Sequence, residues 1–301
     1  MKRIDYYAEK LSEMIKSETW ECSPYTVRYI NDGIRQKRRK LAKPRFWPDQ
    51  CIHHAFDRVV GPLLAKSQYH YCTGCVKGKG IKLSKRGLEL FIKRHPEWAK
   101  WVDKMDIHHC YDSVDHASLK AVLAEKIKDE SILRAYGKII DSYPRLATDP
   151  EATGPENPEV GIPIGIDPSR WLINMFLSKI DHAIKRFLGH RYFSTRYADD
   201  MVLIGPSKRM LRKAQAIIEA MLSGIKLKLK GNWQVFKLRD RAIDFLGYKF
   251  YRDHVEIRKS ILLRILRKIR KIIKLGKLVT PHLAAGLLSY KGYLKHSNSQ
   301  H

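Results

Sequence analysis

Apolar residues recur at every third or fourth position along several stretches of the chain, and this spacing predicts amphipathic helices. Shorter runs rich in β-branched and aromatic residues predict strands between them. The predicted helices cover residues 1–20, 48–64, 85–101, 169–187, 207–222 and 258–277, with a further helix from about 118. The predicted strands cover residues 102–106, 191–196, 201–204, 225–230, 245–251 and 255–257. The pattern therefore predicts an α+β protein.

Two adjacent carboxylates lie between strand-forming runs, in the segment Tyr197-Ala198-Asp199-Asp200. Two strands with a short connection predict a hairpin whose turn carries these acids. Burying two carboxylates in apolar surroundings costs free energy unless a cation compensates them, and a divalent metal ion does so most completely. We therefore predict a Mg²⁺ site at this turn, and such a site needs a third ligand.

The best candidate for the third ligand is Asp106, which closes a short strand and precedes a turn. A carboxylate at a strand end, next to a turn, is placed to face a cleft. Asp103, Asp112 and Asp115 are alternatives, although Asp115 also suits the N-cap of the helix that follows it. The neighbouring pair of histidines at 108–109 is a poor metal site, because adjacent strand residues point to opposite faces.

Charge narrows the class of partner. The 301 residues include 58 Lys and Arg but only 31 Asp and Glu, a net charge of +27. Such a positive field predicts a polyanionic partner, and nucleic acid is the main candidate. No apolar run approaches the roughly 18 residues that span a membrane, so we expect no membrane association. Five scattered cysteines fit a reducing compartment better than a disulfide framework.

Two basic stretches are candidates for phosphate contacts. Residues 37–45 are strongly basic, which fits either triphosphate or template binding or a solvated edge. Residues 76–82 alternate Gly with Lys, which gives a flexible backbone carrying cations, but they lack the spacing of a P-loop. The preceding Cys72-Thr73-Gly74-Cys75 does not predict zinc, because no second ligand pair follows at a usable distance.

A glycine-containing junction precedes the helix predicted from residue 169. Gly165 lies just before the helix N-terminus, where the backbone approaches a ligand closely and the helix dipole favours an anion. An ordinary loop-to-helix junction is the alternative. The proline-containing segment before it, residues 143–159, is predicted to be a long loop.

Four motifs occur in one order along the chain: Asp106 with Tyr111 five residues later, residues 161–165 leading into the helix that bears Ser169, residues 197–200, and Phe245-Leu246-Gly247-Tyr248. In this order the chain resembles the reverse transcriptases over roughly residues 37–300. Within them it is similar to the prokaryotic group that includes group II intron, retron and diversity-generating retroelement enzymes.

The resemblance is greatest to the diversity-generating retroelement type, through Ile164-Gly165-Ile166-Asp167-Pro168-Ser169-Arg170 and the ending around residues 288–297. Arg170 stands where that type has Gln, a departure from the motif that is associated with low-fidelity copying.

The resemblance implies a right-hand polymerase fold with fingers, palm and thumb, in which a small antiparallel palm sheet carries the acidic site. Its parts would be a helical extension (1–36), fingers (37–101), a palm (102–244) with a loop near 143–160, and a primer grip with a helical thumb (245–301).

Site residues follow from the same resemblance. Asp106, Asp199 and Asp200 would bind two Mg²⁺ ions, for which Mn²⁺ can substitute. Tyr111 would lie beneath the sugar and exclude a 2′-hydroxyl. The remaining implied contacts are Arg39, Lys77, Lys79, Gly165, Ser169 and Arg170 for the nucleotide or template, Phe245, Leu246, Gly247 and Tyr248 for the primer grip, and Lys230 as a candidate general acid.

The expected function is RNA-directed DNA synthesis on a template RNA, with a primer or cDNA and deoxynucleoside triphosphates, in the mutagenic retrohoming of a diversity-generating retroelement. The alternatives are an antiphage or retron-like enzyme with a dedicated noncoding RNA, and an intron-maturase-like RNA-binding protein.

The resemblance also implies an accessory variability-determinant oligomer as partner. It implies a cytoplasmic location in a bacterium, phage or mobile element. No endonuclease or RNase H segment follows the predicted thumb, so we expect such activities to come from partners.

Overall fold

We analysed a computed structural model that describes residues 2–32, 37–76, 78–143, 147–148, 157–274, 280–295 and 297. Helices and strands alternate through these ranges. The helices are α1 (Lys2–Lys16), α2 (Cys51–Lys66), α3 (Gly80–Arg94), α4 (His116–Lys126), α5 (Glu130–Asp141), α6 (Asp167–Leu188), α7 (Lys208–Gly224), α8 (Lys259–Lys274) and α9 (Pro281–Lys295). The strands are β1 (Tyr25–Asp32), β2 (Lys37–Lys43), β3 (Trp101–Asp106), β4 (Ala147–Thr148), β5 (Phe193–Tyr197), β6 (Asp200–Gly205), β7 (Gln234–Lys237), β8 (Ile243–Phe245), β9 (Tyr248–Phe250) and β10 (Val255–Ile257).

The central sheet has four strands in the order β5-β6-β3-β7, and every neighbouring pair is antiparallel. A two-residue turn, Ala198-Asp199, joins β5 to β6. The hairpin predicted from the sequence is therefore confirmed. In the β3–β6 pairing Asp106 lies directly opposite Asp200, which brings the end of β3 to the hairpin turn.

Hydrophobic packing covers both faces of this sheet. Successive side chains of a strand point to opposite faces. Met105 and Leu203 accordingly belong to a large core shared with α2, α4, α6 and α7, and Val102 and Val202 belong to a second core shared with α3 and strands β8 to β10. The sheet is consequently held rigidly between two packed layers.

The longest helix, α6, crosses the larger core. Pro168 lies in its first turn, where the missing N–H costs nothing, and Gly189 follows its end in a left-handed conformation (φ 69°). Most of its circumference is buried, including Leu172 and Phe176. Such all-round burial explains why apolar residues occupy so many positions of this helix.

Two smaller sheets flank the central one, in the orders β2-β1-β4 and β10-β9-β8. The β1–β2 hairpin contacts the segment before α6, because the Ala42 amide donates to the Ile164 carbonyl at 2.9 Å. β1 lies within residues 1–36, for which the sequence predicted only a helical extension. The division into fingers, palm and thumb at particular residues stays a prediction.

Several predicted elements differ from the observed ones. The helix predicted for residues 85–101 is α3, which begins at Gly80 and ends at Arg94, because Pro96 disfavours helical backbone in the residue before it. Trp101 begins β3 instead. The strand predicted for 225–230 contributes only a bridge between Leu229 and Ile107. The helix α5 was not predicted.

The strand predicted for residues 245–251 is two strands, β8 and β9. Leu246 and Gly247 have positive φ angles of 53° and 87°, so the chain turns there. Most of the loop predicted for residues 143–159 lies outside the described residues; within it, β4 pairs in parallel with β1.

Candidate active site

Three carboxylates meet at one end of the central sheet. Asp106 is the last residue of β3, Asp200 is the first residue of β6, and Asp199 lies in the turn before it. The Ile107 amide donates to the Asp199 carbonyl at 3.2 Å and ties the turn to the end of β3. The three acids that the resemblance implied therefore lie at the same end of the sheet.

Burial opposes the charges of the hairpin carboxylates. It raises the pKa of Asp199, and the neighbouring charge of Asp106 raises it further. Burial likewise raises the pKa of Asp200 to about 7; the charge of Lys104 opposes this shift, while Asp106 and Asp199 add to it. Among the described residues, the Asp200 Oδ1 atom is buried and has no hydrogen-bond partner. A positive charge placed next to these carboxylates would therefore stabilise their ionised forms.

Two lysines offset part of the negative charge of the site. Lys230 Nζ forms an ion pair and hydrogen bond with Asp106 Oδ1. Lys104 Nζ lies 3.8 Å from Asp200 Oδ2 and donates to the Asp244 carbonyl at 2.6 Å. The arrangement places Lys230, the candidate general acid, directly beside a carboxylate of the site.

The donor set fits a hard divalent cation, since carboxylate oxygens are the ligands that Mg²⁺ prefers. The unpartnered Oδ1 atom of Asp200 agrees with that chemistry. As placed here, however, no three His, Cys, Asp or Glu side chains of the described ranges are close enough together to hold a metal ion. The lysines now paired with Asp106 and Asp200 would have to move aside when such an ion binds.

Tyr111 lies near enough to Asp199 for the charge of that carboxylate to raise the pKa of its hydroxyl. The Ile162 amide donates to the Tyr111 carbonyl at 2.9 Å, which fixes this residue against the segment before α6. Burial raises the pKa of the Tyr111 hydroxyl, and the nearby groups of Cys75, Cys110 and Asp199 raise it further. The phenol is therefore a neutral group beside the carboxylates.

The predicted phosphate contacts have different surroundings. Arg39 lines a cleft of about 610 Å³ beneath the β1–β2 hairpin, and its charge lowers the pKa of Asp199. Lys79 Nζ instead donates to the Tyr69 carbonyl at 3.1 Å, and burial lowers the pKa of Lys79. Lys77 lies outside the described residues. Arg39 is thus the contact of this group that the structure brings nearest to the carboxylates.

The junction before α6 is packed rather than open. Gly165 has a φ of 116°, and a Cβ atom there would lie 2.9 Å from the Ala42 carbonyl oxygen, so close approach to β2 requires glycine. Ser169 is buried, and its Oγ atom has no hydrogen-bond partner in the described parts of the chain. The Arg170 guanidinium pairs with Asp167 and lies 3.8 Å from Asp57 of α2.

The predicted primer grip consists of the β8–β9 turn and its flanks. Phe245 and Tyr248 are buried in the second core, and Leu246 and Gly247 form the turn itself. The Gly247 carbonyl accepts from the Arg258 amide at 2.9 Å, which joins the turn to the start of α8. This places the turn between the carboxylates and the C-terminal helices.

The sequence did not single out three residues that border the site. Lys104 contacts Asp200, Arg196 donates to the carbonyl of Ala198, and Gly74 packs against the Ala198 amide. The only sign of Arg196 in the sequence is a cation in a strand that is otherwise apolar or neutral. The sequence gives no comparable indication for Lys104 or Gly74, because each contacts the turn from a segment that is distant in the chain.

A comparison with protein families complements this geometry. Residues 50–250 match the family described as reverse transcriptase (RNA-dependent DNA polymerase). The chain belongs to the reverse transcriptase family. The matched range includes all three carboxylates, Tyr111 and the β8–β9 turn.

Individual relatives agree with this assignment. The putative COX1/OXI3 intron 2 protein of Saccharomyces cerevisiae is 32% identical over 178 residues, which are 58% of this chain and 19% of that protein. This chain therefore matches only a part of that relative. The relative is a yeast protein, so the narrower resemblance to prokaryotic retroelement enzymes is not confirmed.

Solved structures confirm the fold class. Telomerase from Candida albicans, solved with the TWJ fragment of telomeric RNA, aligns with a TM-score of 0.59 at 14% identity, over 80% of this chain and 46% of the telomerase chain. Apo telomerase from Candida tropicalis lacking its C-terminal domain aligns with the same TM-score at 13% identity, over 82% and 59% of the two chains. This reverse transcriptase chain thus has the right-hand polymerase fold. In its described part, no helix is long and apolar enough to cross a membrane.

Proposed function

We propose that this chain is an RNA-directed DNA polymerase that extends a primer on an RNA template. One observation carries the proposal: Asp106 and Asp200 are cross-strand neighbours at the hairpin turn that bears Asp199, with a buried and unpartnered oxygen on Asp200. A structural sheet end gains nothing from three carboxylates that repel one another. A site that holds divalent cations and a triphosphate does.

In this proposal Asp106, Asp199 and Asp200 hold two divalent cations. When bound, such ions activate the primer 3′-hydroxyl and stabilise the charge of the departing pyrophosphate. Arg39 binds the triphosphate oxygens as a charge-assisted donor. Tyr111 supports the sugar and excludes a 2′-hydroxyl by steric contact. Lys230 Nζ, released from Asp106 Oδ1, donates a proton to the departing pyrophosphate.

The overall charge supports a nucleic-acid substrate. The net charge of +27 gives the chain a field that attracts phosphate backbones of either RNA or DNA. The exposed cations of α8 lie beyond the β8–β9 turn, where a primer–template duplex would leave the site. We expect template RNA, primer and deoxynucleoside triphosphates to be the substrates.

Primer extension tests the proposal directly. The purified chain with Mg²⁺, a primed RNA and deoxynucleotides should extend the primer. Asp199→Asn and Asp200→Asn should each lower the extension rate by at least about 10³-fold, because the developing charge loses its electrostatic stabilisation. Asp253→Asn, an exposed acid of the β9–β10 turn, is the matched control and should change the rate by less than about twofold. Normal extension by both hairpin variants would refute this assignment.

A second candidate function is intron-associated RNA binding without polymerisation, which the similarity to the yeast intron 2 protein favours. This candidate requires RNA binding that is independent of Mg²⁺ and unaffected by Asp199→Asn. Gel-shift titrations with a structured intron RNA, with and without Mg²⁺, separate the two candidates when combined with the extension assay.

The biological setting is a separate proposal. A diversity-generating retroelement would supply an accessory oligomer and a template repeat, whereas a retron-like or antiphage system would supply a dedicated noncoding RNA. Sequencing the nucleic acid that copurifies with the protein distinguishes these settings. A template-repeat transcript favours the first, and one abundant structured RNA favours the second.

A further inference from the structure

Arg196 of β5 is buried beneath the hairpin turn, with 1% of its surface exposed. Its Nε and Nη2 atoms donate to Asp181 Oδ1 and Oδ2 at 2.9 and 2.7 Å, a paired geometry that fixes the guanidinium plane. Asp181 lies on α6, and its side chain is also almost fully buried. Helix α6 therefore holds the Arg196 side chain in one orientation.

The other edge of the guanidinium reaches the hairpin turn. Arg196 Nη1 donates to the Ala198 carbonyl at 2.8 Å and to Asn174 Oδ1 at 3.2 Å. Ala198 has a φ of 55°, a left-handed backbone that is unfavourable for a residue with a Cβ atom. The hydrogen bond from Arg196 thus holds a strained residue that directly precedes Asp199.

The segment of residues 71–74 forms the opposite wall of the turn. The Arg196 amide donates to the Tyr71 carbonyl and the Thr73 amide donates to the Arg196 carbonyl, both at 3.0 Å. Asn174 Nδ2 donates to the Gly74 carbonyl at 2.6 Å. A Cβ atom at Gly74 would lie 2.5 Å from the Ala198 amide nitrogen, so only glycine allows this contact.

Stability alone does not explain an arginine at this position. Two ions lose several kcal/mol of hydration when they are buried, and apolar residues of similar volume often replace such a pair without loss of stability. A planar fork, however, can hold Asp181 and the Ala198 carbonyl at the same time, whereas a lysine or an apolar side chain cannot. The geometry therefore favours a role in placing the turn.

We propose that Arg196 is a positioning residue that, with Gly74, sets the conformation of the turn carrying Asp199 and Asp200. It acts through the Ala198 carbonyl and does not touch the substrate. The inference rests on the proposed polymerase function, because that function requires the two carboxylates at a fixed separation from Asp106. A shift of the turn by about 1 Å is enough to cost roughly a hundredfold in rate.

The first test replaces the ion pair without leaving a buried charge, as Arg196→Met combined with Asp181→Leu. We expect a folded protein whose kcat for primer extension falls about a hundredfold while the KM for deoxynucleotide changes less than about threefold. Mn²⁺ binding, measured by electron paramagnetic resonance of the free ion, should weaken about tenfold because the ligand oxygens are misplaced. Unchanged kcat and unchanged Mn²⁺ affinity would overturn the proposal.

Two further variants separate positioning from simple stability. Arg196→Lys keeps a charge for Asp181, so a purely structural ion pair would be rescued in both stability and kcat, whereas a positioning role predicts near-normal thermal stability with kcat still lowered. Ile139→Ala, in α5 away from the site, should lower the melting temperature and leave kcat unchanged at temperatures well below unfolding.

Gly74→Ala tests the positioning role if the double variant does not fold. It leaves the ion pair intact but pushes on the Ala198 amide, and we expect the same loss of kcat and Mn²⁺ affinity. Normal values for this variant would contradict the proposal. If the unaltered chain extends no primer, the polymerase function fails, and the comparison of Mn²⁺ affinities still tests the role of Arg196 on its own.

Discussion

The two acids of β3, Asp103 and Asp106, have very different surroundings. Asp106 ends the strand beside Lys230 and faces the hairpin turn, so its charge is offset. Asp103 lies three residues earlier, fully buried under α7, and neither of its carboxylate oxygens has a hydrogen-bond partner in the described chain. The charge of Arg212 on α7 offsets only part of the cost of its burial. A destabilising group of this kind is expected at positions that selection has not optimised for stability.

We expect Asp103→Asn to stabilise the protein in a pH-dependent way. Burial raises the pKa of Asp103 from 3.8 to about 7, so the folded state binds a proton that the unfolded state releases. The penalty is absent below pH 4, grows as the pH rises towards 7 and is complete above it. Each unit of pKa shift corresponds to about 1.4 kcal/mol, so the gain at pH 8 should be a few kcal/mol.

Urea unfolding at pH 5 and pH 8 measures this effect, and the gain should be clearly larger at pH 8. Asp240→Asn is the control, since Asp240 is an exposed acid and its replacement should change stability by less than about 0.5 kcal/mol at either pH. An equal gain at both pH values would show that the Asp103 carboxyl does not titrate as the structure implies.

At Tyr111 the prediction concerns sugar selection. If the ring excludes a 2′-hydroxyl, Tyr111→Ala should raise the ratio of kcat/KM for ribonucleotides over deoxynucleotides by about 10–100-fold, a range typical of a removed steric contact. Tyr111→Phe keeps the ring and should leave the ratio unchanged. Single-nucleotide incorporation kinetics measure both. A changed ratio in the Phe variant would point to the hydroxyl rather than the ring.

At the scale of elements, the β8–β9 turn joins the sheet to the C-terminal helices. Gly247 allows close contact, since a Cβ atom there would lie 2.7 Å from Ile261 of α8 and 2.9 Å from the ring of Tyr293 of α9. The Arg258 guanidinium pairs with Asp244 at the other side of the turn. The same turn thus carries the predicted primer grip and anchors two helices.

We expect Gly247→Ala to destabilise this junction by about 1–3 kcal/mol, because the residue has a φ of 87° and the added methyl group overlaps both helices. Loosened helices should also shorten the products made per binding event. Limited proteolysis and single-turnover extension with a trap measure the two effects. Gly292→Ala in α9, where no atom of another described part of the chain lies within 4 Å of the added Cβ, should instead stabilise by about 0.5–1 kcal/mol.

At the scale of the whole molecule, the exposed cations of α8 and α7 differ in how well they are placed to contact a nucleic-acid duplex. The exposed cations of α8 lie on a helix that the β8–β9 turn contacts, and apolar residues such as Leu263 and Leu266 stay partly exposed between them. Those of α7 lie on a helix whose apolar face packs in the large core. In the proposed function, a duplex leaving the site would pass the first set and not the second. Position, and not only net charge, should therefore decide which cations bind.

Neutralising three cations of α8, as Arg267→Gln with Arg270→Gln and Lys271→Gln, should lower the salt dependence of duplex binding. Removing one phosphate interaction reduces the slope of log K against log salt by about 0.9, so a reduction of about two to three is expected for the triple variant. The control removes the same charge from α7 with Arg209→Gln, Arg212→Gln and Lys213→Gln, and its slope should change little. Fluorescence anisotropy between about 50 and 200 mM salt measures both.

Local signals in the sequence were sufficient for the parts of the site that lie close together in the chain. The hairpin of Asp199 and Asp200 followed from the strand-forming runs on either side of it. The choice of Asp106 over Asp103, Asp112 and Asp115 rested on the resemblance to the reverse transcriptases. The N-cap role of Asp115 is also confirmed, since it accepts from the Ser118 amide at 2.9 Å. The bounds predicted for the helix at 85–101 and the single strand predicted for 245–251 were wrong. Proline ends the helix earlier and the backbone turns at Leu246 and Gly247, and both effects depend on backbone geometry.

The sequence by itself predicted the acidic hairpin, a metal site there and a nucleic-acid partner, because periodicity, side-chain type and net charge are properties of the chain alone. The right-hand fold followed from the order of its motifs, which resembles that of the reverse transcriptases. Only the tertiary structure decided that Asp106 lies opposite Asp200, that Lys104 and Lys230 offset their charges, and that Arg196 and Gly74 hold the turn. These contacts join segments up to 124 residues apart. Their energies depend on burial and distance, which a linear sequence does not specify.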